Sequence, residues 1–536
     1  MVVCLLTGLR IASDAPDAVI STALIPILPQ GEIWTFHFIA GLVLMFCSVA
    51  YMFYVRRSGV QRRNALKRLV VFTLPAADRL RWAAVNVVLH WFLFAMVTVL
   101  TVSGIFLYIG HGGWIVTVHV LSAFGCLGYI VLHVVAHYFY GGIDELLRLF
   151  RPARLVANRA VRPLPLTVAA VAGLVAAGAM AALDFGTRDV LAVAVVEQAP
   201  TLDGRLDDAA WSQAESVRVL TQQGVNLAGT GESPVEIRAL RHEDTVYFAF
   251  RWWDPTHSLW RLPIVKRADG WYVANERAAP ADVNGFYEDK FSVAFAHSNA
   301  FGSADSTHMG QKPLSDKPGA PHERGLHYMN DDSYMDVWQW KSGRGGMMGM
   351  IDDQHFGPPV EPTDAHRAGK SRYKAGYASD PGGAAYKYNY KTGPAGYHGP
   401  IEVPRLPRDL DAVVAAMGTF ELDSDTSVAV GSKWWMDFDR ETVPYSAERD
   451  AEIPVGTVIP GVLITGTFSG DRGDLSGGAS WKDGYWTLET ARRLSTGSKY
   501  DIDFTVDRPI YMWVSVFDHN QVRHTRHVRP VTLKFD

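Results

Sequence analysis

"VHVLSAFGCLGYIVLHVVAHYFYGG", residues 118–142, decides how this chain is read. A membrane helix needs ~20 mainly apolar residues, and this stretch supplies them. It also carries His119, His133 and His137. Ionisable side chains inside a span are costly and mark function. His119 and His133 are fourteen residues apart. At ~1.5 Å per residue that is ~21 Å along a helix, and ~100° per residue brings the second to within ~40° of the face of the first. The stretch therefore predicts two imidazoles on one helix face, at opposite depths of a bilayer.

Working outward, the sequence predicts further apolar spans at Met1 to about Ile25, Trp34–Val55, Trp82–Ile109, Trp114–Tyr140 and Leu164–Leu183. Asp14 and Asp17 interrupt the first. The loop between the second and third spans holds Arg56, Arg57, Arg62, Arg63, Lys67, Arg68, Arg79 and Arg81. The loop before the fifth holds Arg148, Arg151, Arg154, Arg159 and Arg162. The links at Pro29–Ile33 and Gly110–Gly113 have no Lys or Arg. Short Arg-rich loops stay in the cytoplasm. The fifth span then leaves everything after Asp184 on the far side, the periplasm of a bacterium. Membrane-type segments continue directly after the first, which argues against a cleaved signal peptide.

From about Val193 the pattern changes. "VEIRALRHEDTVYFAFRWWD" (235–254), "DKFSVAFAHS" (289–298), "YWTLETARRL" (485–494) and "IYMWVSVFDH" (510–519) alternate and are rich in aromatic and β-branched residues. They predict strands of a β-sandwich. Between about 301 and 410 the strand pattern fades into Gly, Pro, Tyr and Met, and long loops are expected there. The fold class is thus an all-α transmembrane bundle followed by an all-β sandwich. Its parts are residues 1–142, a loop and fifth helix over 143–192, and an outer domain over 193–536 with a loop-rich insertion. The 536 residues carry a net charge of −4, which argues against a nucleic-acid partner. Cys4, Cys47 and Cys126 all lie in hydrophobic stretches. The outer domain can therefore hold no disulfide, no thiolate-bound metal and no CxxCH haem attachment.

Imidazoles at two depths of a span suit haem iron, which takes axial ligands from facing helices. Partners stand at matching depths. His37 opens the second span at the level of His119, and His90 lies two turns into the third, level with His133. We pair His37 with His119 around an outer haem and His90 with His133 around an inner one. His137, one turn from His133, is the rival for the inner site. Gly104, Gly125 and Gly128 offer either room for a porphyrin or close helix packing. His111, in the outer link, reads as a surface histidine.

The region Met1–Gly142, with its fourteen-residue histidine pair, resembles the bacterial cytochrome b561 family, which includes the cytochrome b subunits of nickel-iron hydrogenases and formate dehydrogenases. That resemblance implies a diheme b protein passing electrons between quinone or quinol and a partner outside the membrane. "LLTGLRI" (5–11) is similar to "TVSGIFL" (101–107). In the second copy His90 and Trp91 stand fourteen residues before Gly104, and the same distance before Gly8 falls before Met1. Either the true start lies upstream or this member dispenses with a first-helix histidine.

"TLDGRLDDAAW" (201–211), "YEDKFSVAFA" (287–296) and "MDVWQWKSG" (335–343) resemble the ethylbenzene dehydrogenase-like haem-binding domain, a β-sandwich akin to family 9 carbohydrate-binding modules. That resemblance implies one b haem with Met and Lys or His ligands. Where some members carry cysteines this chain reads "ADSTHMG" (304–310), so attachment is not covalent. By position, Met329 is the methionine ligand and His524 its partner. His527, His308, His327, Met309 and Lys433 are alternatives. Trp338 and Trp340 alternate, so either both fill the core or one flanks a haem. The electron acceptor or donor outside is expected to be a periplasmic redox protein such as a c-type cytochrome or molybdenum oxidoreductase.

A competing reading is a membrane-anchored carbohydrate-binding module, with Trp252 and Trp253 as a stacking platform. It leaves the matched histidines unexplained. A metal reductase drawing on "GGMMGM" lacks regular ligand spacing. No catalytic triad, phosphate loop or carboxylate pair stands out, so an electron-transfer subunit is expected rather than a stand-alone enzyme.

Overall fold

The computed structural model describes residues 1–13, 23–24, 27–29, 33–58, 65–73, 75, 77–147, 163–274, 283–298, 327–329, 333–368, 373–393, 395–418 and 432–535. The chain divides into two compact units, helical and β.

In the helical unit, α1 is Val2–Ala12, α2 Ile33–Ser58, α3 Asp78–Tyr108, α4 Trp114–Leu147 and α5 Pro163–Gly186. Four of these, α2 to α5, are long and apolar enough to cross a membrane, with mean hydropathy of 2.1 to 2.2. The first predicted segment, interrupted at Asp14 and Asp17, forms α1 of 11 residues at its opening, about half of what a crossing needs. α4 breaks at Gly141 and Gly142, where helical dihedrals are lost. The link between α3 and α4 turns at Gly110 (φ +93°) and Gly113 (φ +66°), left-handed conformations that glycine adopts without a Cβ penalty. The two helices then run antiparallel, with Ser103 beside His119 and His90 beside His133. α5 is tied to α3 by Tyr108, whose hydroxyl donates to Asp184 Oδ1 at 2.9 Å. It meets α2 at Gly173, where a Cβ would come 2.7 Å from the Phe46 ring. Of the arginines that set the predicted orientation, Arg62, Arg63 and those from Arg148 to Arg162 lie outside the described residues.

The β unit is built on one sheet of twelve strands. In chain order they are β1 Val190–Val195, β2 Ser216–Thr221, β3 Ser233–His242, β4 Thr245–Trp253, β5 Lys290–Ala296, β6 Met335–Lys341, β7 Ile351–Phe356, β8 Tyr377–Ser379, β9 Ser476–Lys482, β10 Tyr485–Arg493, β11 Ile510–Phe517 and β12 Val531–Phe535. The order across the sheet is β8-β7-β6-β5-β11-β12-β1-β3-β4-β10-β9, with β2 on β3. β1 is the joint. Val190–Val193 pair parallel with β12, and Ala194 and Val195 pair parallel with β3. The two antiparallel halves fold face to face, and their inward residues make the core. Trp252 of β4 stacks on Phe291 of β5 at 4.4 Å, and Phe248 of β4 meets Phe295 of β5 at 5.4 Å. Trp338 and Trp340 both belong to this core, each 1% exposed.

The "TLDGRLDDAAW" stretch folds around one buried carboxylate. Glu489 Oε2 accepts from the amides of Asp203 (2.9 Å) and Gly204 (2.7 Å), and Oε1 accepts from Trp211 Nε1 (2.6 Å). Gly204 sits at φ +78°, and a Cβ there would lie 2.3 Å from Ser480 N. Only glycine fits the turn. The region expected to be long loops carries more structure than its composition suggested. β6 and β7 are regular strands, and the short strands Tyr386–Tyr388, Ile401–Glu402 and Arg405–Pro407 join small sheets outside the main one.

Candidate cofactor site

The outer pair of membrane histidines is held by two matching relays. Thr7 Oγ1 donates to Val3 O at 2.7 Å and lies 2.9 Å from His37 Nδ1. Ser103 Oγ donates to Val99 O at 2.6 Å and lies 2.9 Å from His119 Nδ1. A hydroxyl has one hydrogen, and in both cases the helix carbonyl one turn back takes it. Each imidazole must therefore donate its Nδ1–H to the hydroxyl. This fixes the tautomer and leaves Nε2 with its lone pair, the form in which histidine binds metal.

The residue after each hydroxyl is glycine, for a visible reason. A Cβ at Gly8 would come 3.1 Å from His37 Cε1, and one at Gly104 would come 3.3 Å from His119 Cε1. The two "T/S-G" sequences thus do the same work on two hairpins. The His37 and His119 rings have centroids 6.3 Å apart with planes at 71°. A metal–imidazole bond is ~2 Å on each side, so one iron fits between them. Gly41, one turn along α2 from His37, has no atom within 4 Å of the place a Cβ would occupy. That is open space on the face where a porphyrin would lie. Gly125 instead serves helix packing, since a Cβ there would lie 2.8 Å from Met96 Sδ.

Lower in the bundle, His90 and His133 have centroids 5.1 Å apart and His133 and His137 4.4 Å apart. Tyr129 stacks on His133 at 5.0 Å. His90 Nδ1 is 2.5 Å from Asn86 O, which again leaves Nε2 as the ligand atom. The predicted pair and its rival therefore stand together, with His133 in the middle. These rings are closer than the outer pair and must separate to admit an iron.

In the β unit, the outward face of β11, β5 and β6 is ordered in rows. Phe517, Lys290 and Lys341 lie side by side, then Ser515, Ser292 and Gln339, then Trp513, Ala294 and Val337. At the Trp513 end, Met329 is buried with Ala296, Met335, Val337 and Trp513. At the Phe517 end, His524 packs on Phe517 at 4.7 Å, and its Nδ1 donates to Thr525 O at 2.7 Å. The two anchor points are four residues apart, ~13 Å along the strand. His527 is buried, and burial, then Arg529, pushes its pKa down to about 3. His327 stacks on Phe356 at 4.5 Å, beside the Met329 cluster. Lys433 is paired with Glu441. His308 and Met309 lie outside the described residues.

Beyond Lys290 and Lys341 lies a group of buried cations that sequence reasoning missed. Arg261 NH1 donates to Tyr390 OH at 2.6 Å, with its guanidinium 4.1 Å above the Tyr388 ring. Arg344 pairs with Glu288 and donates to the Tyr386 and Tyr388 hydroxyls at 3.2 Å. Lys341 pairs with Asp352, which Arg472 also grips at 2.6 and 3.0 Å. Five cations here face two carboxylates, and Arg261 Nε is buried with no hydrogen-bond partner among the described residues. Burial alone would raise the Tyr388 phenol, but Arg261 and Arg344 outweigh it and pull it down to about 7. Such a cluster suits an anionic group. Its only trace in the sequence is the run of alternating tyrosines at 386, 388 and 390 beside scattered Arg and Lys.

The family model described as ethylbenzene dehydrogenase matches residues 208–529, more than half of the chain. The chain belongs to the ethylbenzene dehydrogenase family. A second family model, prokaryotic cytochrome b561, matches residues 1–152. The fusion expected from the sequence is therefore present: a membrane b-type cytochrome joined to an ethylbenzene dehydrogenase-family domain, with a redox role and haem b as cofactor. A solved structure described as a "putative carbohydrate-binding protein from Bacteroides uniformis ATCC 8492" is similar over 65% of this chain and 100% of its own, at 9% identity and a TM-score of 0.23. No curated protein sequence matches. The stacking platform of the binding-module reading is overturned at one of its two residues. Trp252 is 0% exposed and packs between Phe291 and Trp486, so it cannot meet a sugar from solvent.

Proposed function

We propose that this protein carries electrons between quinone or quinol in a bacterial inner membrane and a periplasmic redox protein, such as a c-type cytochrome or a molybdenum oxidoreductase. Two haems b lie in the membrane part, residues 1–142. His37 and His119 hold the outer one, and His90 and His133 the inner one, with His137 as the rival ligand. A third haem would be held on the outward face of the β domain, 193–536, by Met329 and His524, with the buried cations Lys290, Lys341 and Arg261 available to its acidic groups. The Arg-rich loop after α2, with Arg56, Arg57, Lys67 and Arg68, favours the cytoplasm, so the β domain faces the periplasm.

The single observation that carries this reading is the pair of hydroxyl relays. An anchor has no use for two imidazoles held in the same tautomer, facing each other with Nε2 bare. Haem supplies reversible one-electron chemistry when bound. The chain supplies ligand identity, low-dielectric burial and position, the means by which a protein tunes a haem potential.

The test is haem stoichiometry on the full chain purified from membranes. Pyridine haemochrome assay is expected to give three haems per chain. His37→Ala and His90→Ala each remove one membrane haem, Met329→Ala removes the outer-domain haem, and a quinol reduces the remainder. A haem count unchanged in His37→Ala and in His119→Ala would overturn the membrane assignment. An unchanged count in Met329→Ala would overturn the third site alone.

A further inference from the structure

Five aspartates converge where the two half-sheets meet at one side of the β domain. Asp336 lies on β6 and Asp353 on β7, both from one half. Asp380 follows β8, Asp474 precedes β9, and Asp501 lies between β10 and β11. Asp336, Asp353 and Asp501 each bring a ligand oxygen within 4.8 Å of the others. Asp474 touches Asp353 and Asp501 side chain to side chain, and Asp380 touches Asp501. Carboxylates meet in this way only across a shared proton or a cation.

The positive charge on hand is too small. Arg492, reaching over from β10, pairs with Asp336 at 2.5 Å and lies 3.9 Å from Asp501. His355 pairs with Asp380 at 2.5 Å. One guanidinium and one imidazole thus face five carboxyl groups. The decisive observation is the state of their free oxygens. Asp336 Oδ1, Asp353 Oδ2, Asp380 Oδ2, Asp474 Oδ1 and Asp501 Oδ1 are all buried, and none has a hydrogen-bond partner among the described residues. Asp336, Asp353 and Asp380 are 1%, 0% and 3% exposed. Leaving one buried acceptor unsatisfied costs ~1–3 kcal/mol, more if charged. The three within one ion's reach of each other, Asp336, Asp353 and Asp501, call for a common partner.

We propose that these aspartates bind a calcium ion, which pins the two halves of the β domain together. The donor set is all oxygen, which excludes a preference for zinc or copper. Asp336, Asp353 and Asp501 offer three carboxylates within one ion's reach, Asp380 and Asp474 touch them, and water completes the flexible 6–8-oxygen shell that Ca²⁺ takes. Mg²⁺ keeps most of its water and needs a tighter octahedron than a buried carboxylate cluster allows. This site is independent of the haem reading.

The test uses the full chain in detergent, stripped with chelator and then equilibrated with CaCl₂ or MgCl₂. Atomic emission after desalting is expected to find calcium retained by the wild type, with one ion fewer per chain in Asp353→Asn and Asp501→Asn. Calcium raises the unfolding midpoint of the β domain by several degrees and magnesium does not, because only an ion that binds the folded state stabilises it. Should the variants fail to fold, Tb³⁺ decides on the wild type. Trp338, the cross-strand partner of Asp353, is expected to sensitise Tb³⁺ luminescence, which Ca²⁺ then quenches by displacement. Calcium content equal in wild type and both folded variants overturns the proposal. So does a wild type that takes up neither Ca²⁺ nor Tb³⁺.

Discussion

Ser103→Ala tests the tautomer argument with the loss of a single oxygen. Alanine is the better helix former, so α3 itself gains a few tenths of a kcal/mol. What is lost is the acceptor, 2.9 Å away, for the Nδ1–H of His119. A side-chain hydrogen bond between membrane helices averages ~0.6 kcal/mol and reaches ~1.7. A buried donor left without a partner costs ~1–3 kcal/mol. Gly104 packs against the same ring edge, so the imidazole keeps its place but not its orientation. A cost of ~1–2 kcal/mol corresponds to ~5–30-fold weaker haem retention at the outer site. That overlaps the ~10–100-fold range known for the hydrogen-bond partners of metal-binding histidines. The assay is transfer of haem from the purified protein to an excess of apomyoglobin, with the two membrane haems distinguished by low-temperature spectra. Ser103→Thr is expected to restore retention, and Thr7→Val to reproduce the loss through His37. The inner haem is expected to stay unchanged in all three. Equal loss from both haems, or full retention in both Ser103→Ala and Thr7→Val, would refute the reasoning.

Three further outcomes follow from the β domain. Gly204→Ala places a Cβ 2.3 Å from Ser480 N at φ +78°, which is expected to cost ~2 kcal/mol or more in urea unfolding. His527 is neutral in the fold, with its pKa pushed down to about 3. The unfolded chain binds a proton below about pH 6.5, so wild type loses ~1.4 kcal/mol per pH unit between about pH 6.5 and 3 relative to His527→Asn, and the two curves run parallel above that window. Tyr388 is held down to about 7 chiefly by Arg261 and Arg344, which outweigh its burial. Ultraviolet difference titration of the wild type is therefore expected to show one tyrosine ionising near neutral pH, a step that moves to higher pH in Arg261→Gln.

The histidine pairs were legible because helical periodicity is rigid. A fourteen-residue spacing in an apolar run converts directly into depth and azimuth, so residues thirty and more positions apart could be matched by counting. The strands of the sandwich were legible by alternation, and the fold of "TLDGRLDDAAW" was implied by resemblance. Its reason was not, because Glu489 lies almost three hundred residues from Gly204 and nothing local announces the pairing. The same limit hid the buried cations and the five aspartates. Asp336 and Asp353 read as ordinary polar members of aromatic strands, and Asp501 as one of many acidic turn residues. They become a cluster only when β6, β7 and the loops flanking β9 to β11 close on one another. Composition also misled within the stretch from about 301 to 410, where Gly, Pro and Tyr suggested loops. β7 there is a strand whose core-side residues include Asp353, so hydrophobic alternation could not reveal it.

The internal similarity between "LLTGLRI" and "TVSGIFL" explains why the two membrane levels differ. α1 with α2 and α3 with α4 are two hairpins, each presenting a hydroxyl and a glycine to the first histidine of its second helix. At the outer level the repeat is complete, so His37 and His119 come one from each hairpin and are held alike. At the inner level it is broken. Fourteen residues after His119 stands His133, but fourteen after His37 stands Tyr51, which packs toward Phe94 at 6.4 Å. The repeat thus puts a phenol where the second hairpin puts an imidazole. Among the described residues the inner imidazoles, His90, His133 and His137, all come from the second hairpin, with centroid spacings of 5.1 and 4.4 Å against 6.3 Å above. The inner site is therefore tighter, is built from one covalent unit, and has His137 in reach as a second choice of ligand. Substituting His137 is accordingly expected to shift the inner haem's spectrum and leave the outer haem untouched, whereas substituting Tyr51 disturbs neither ligand pair.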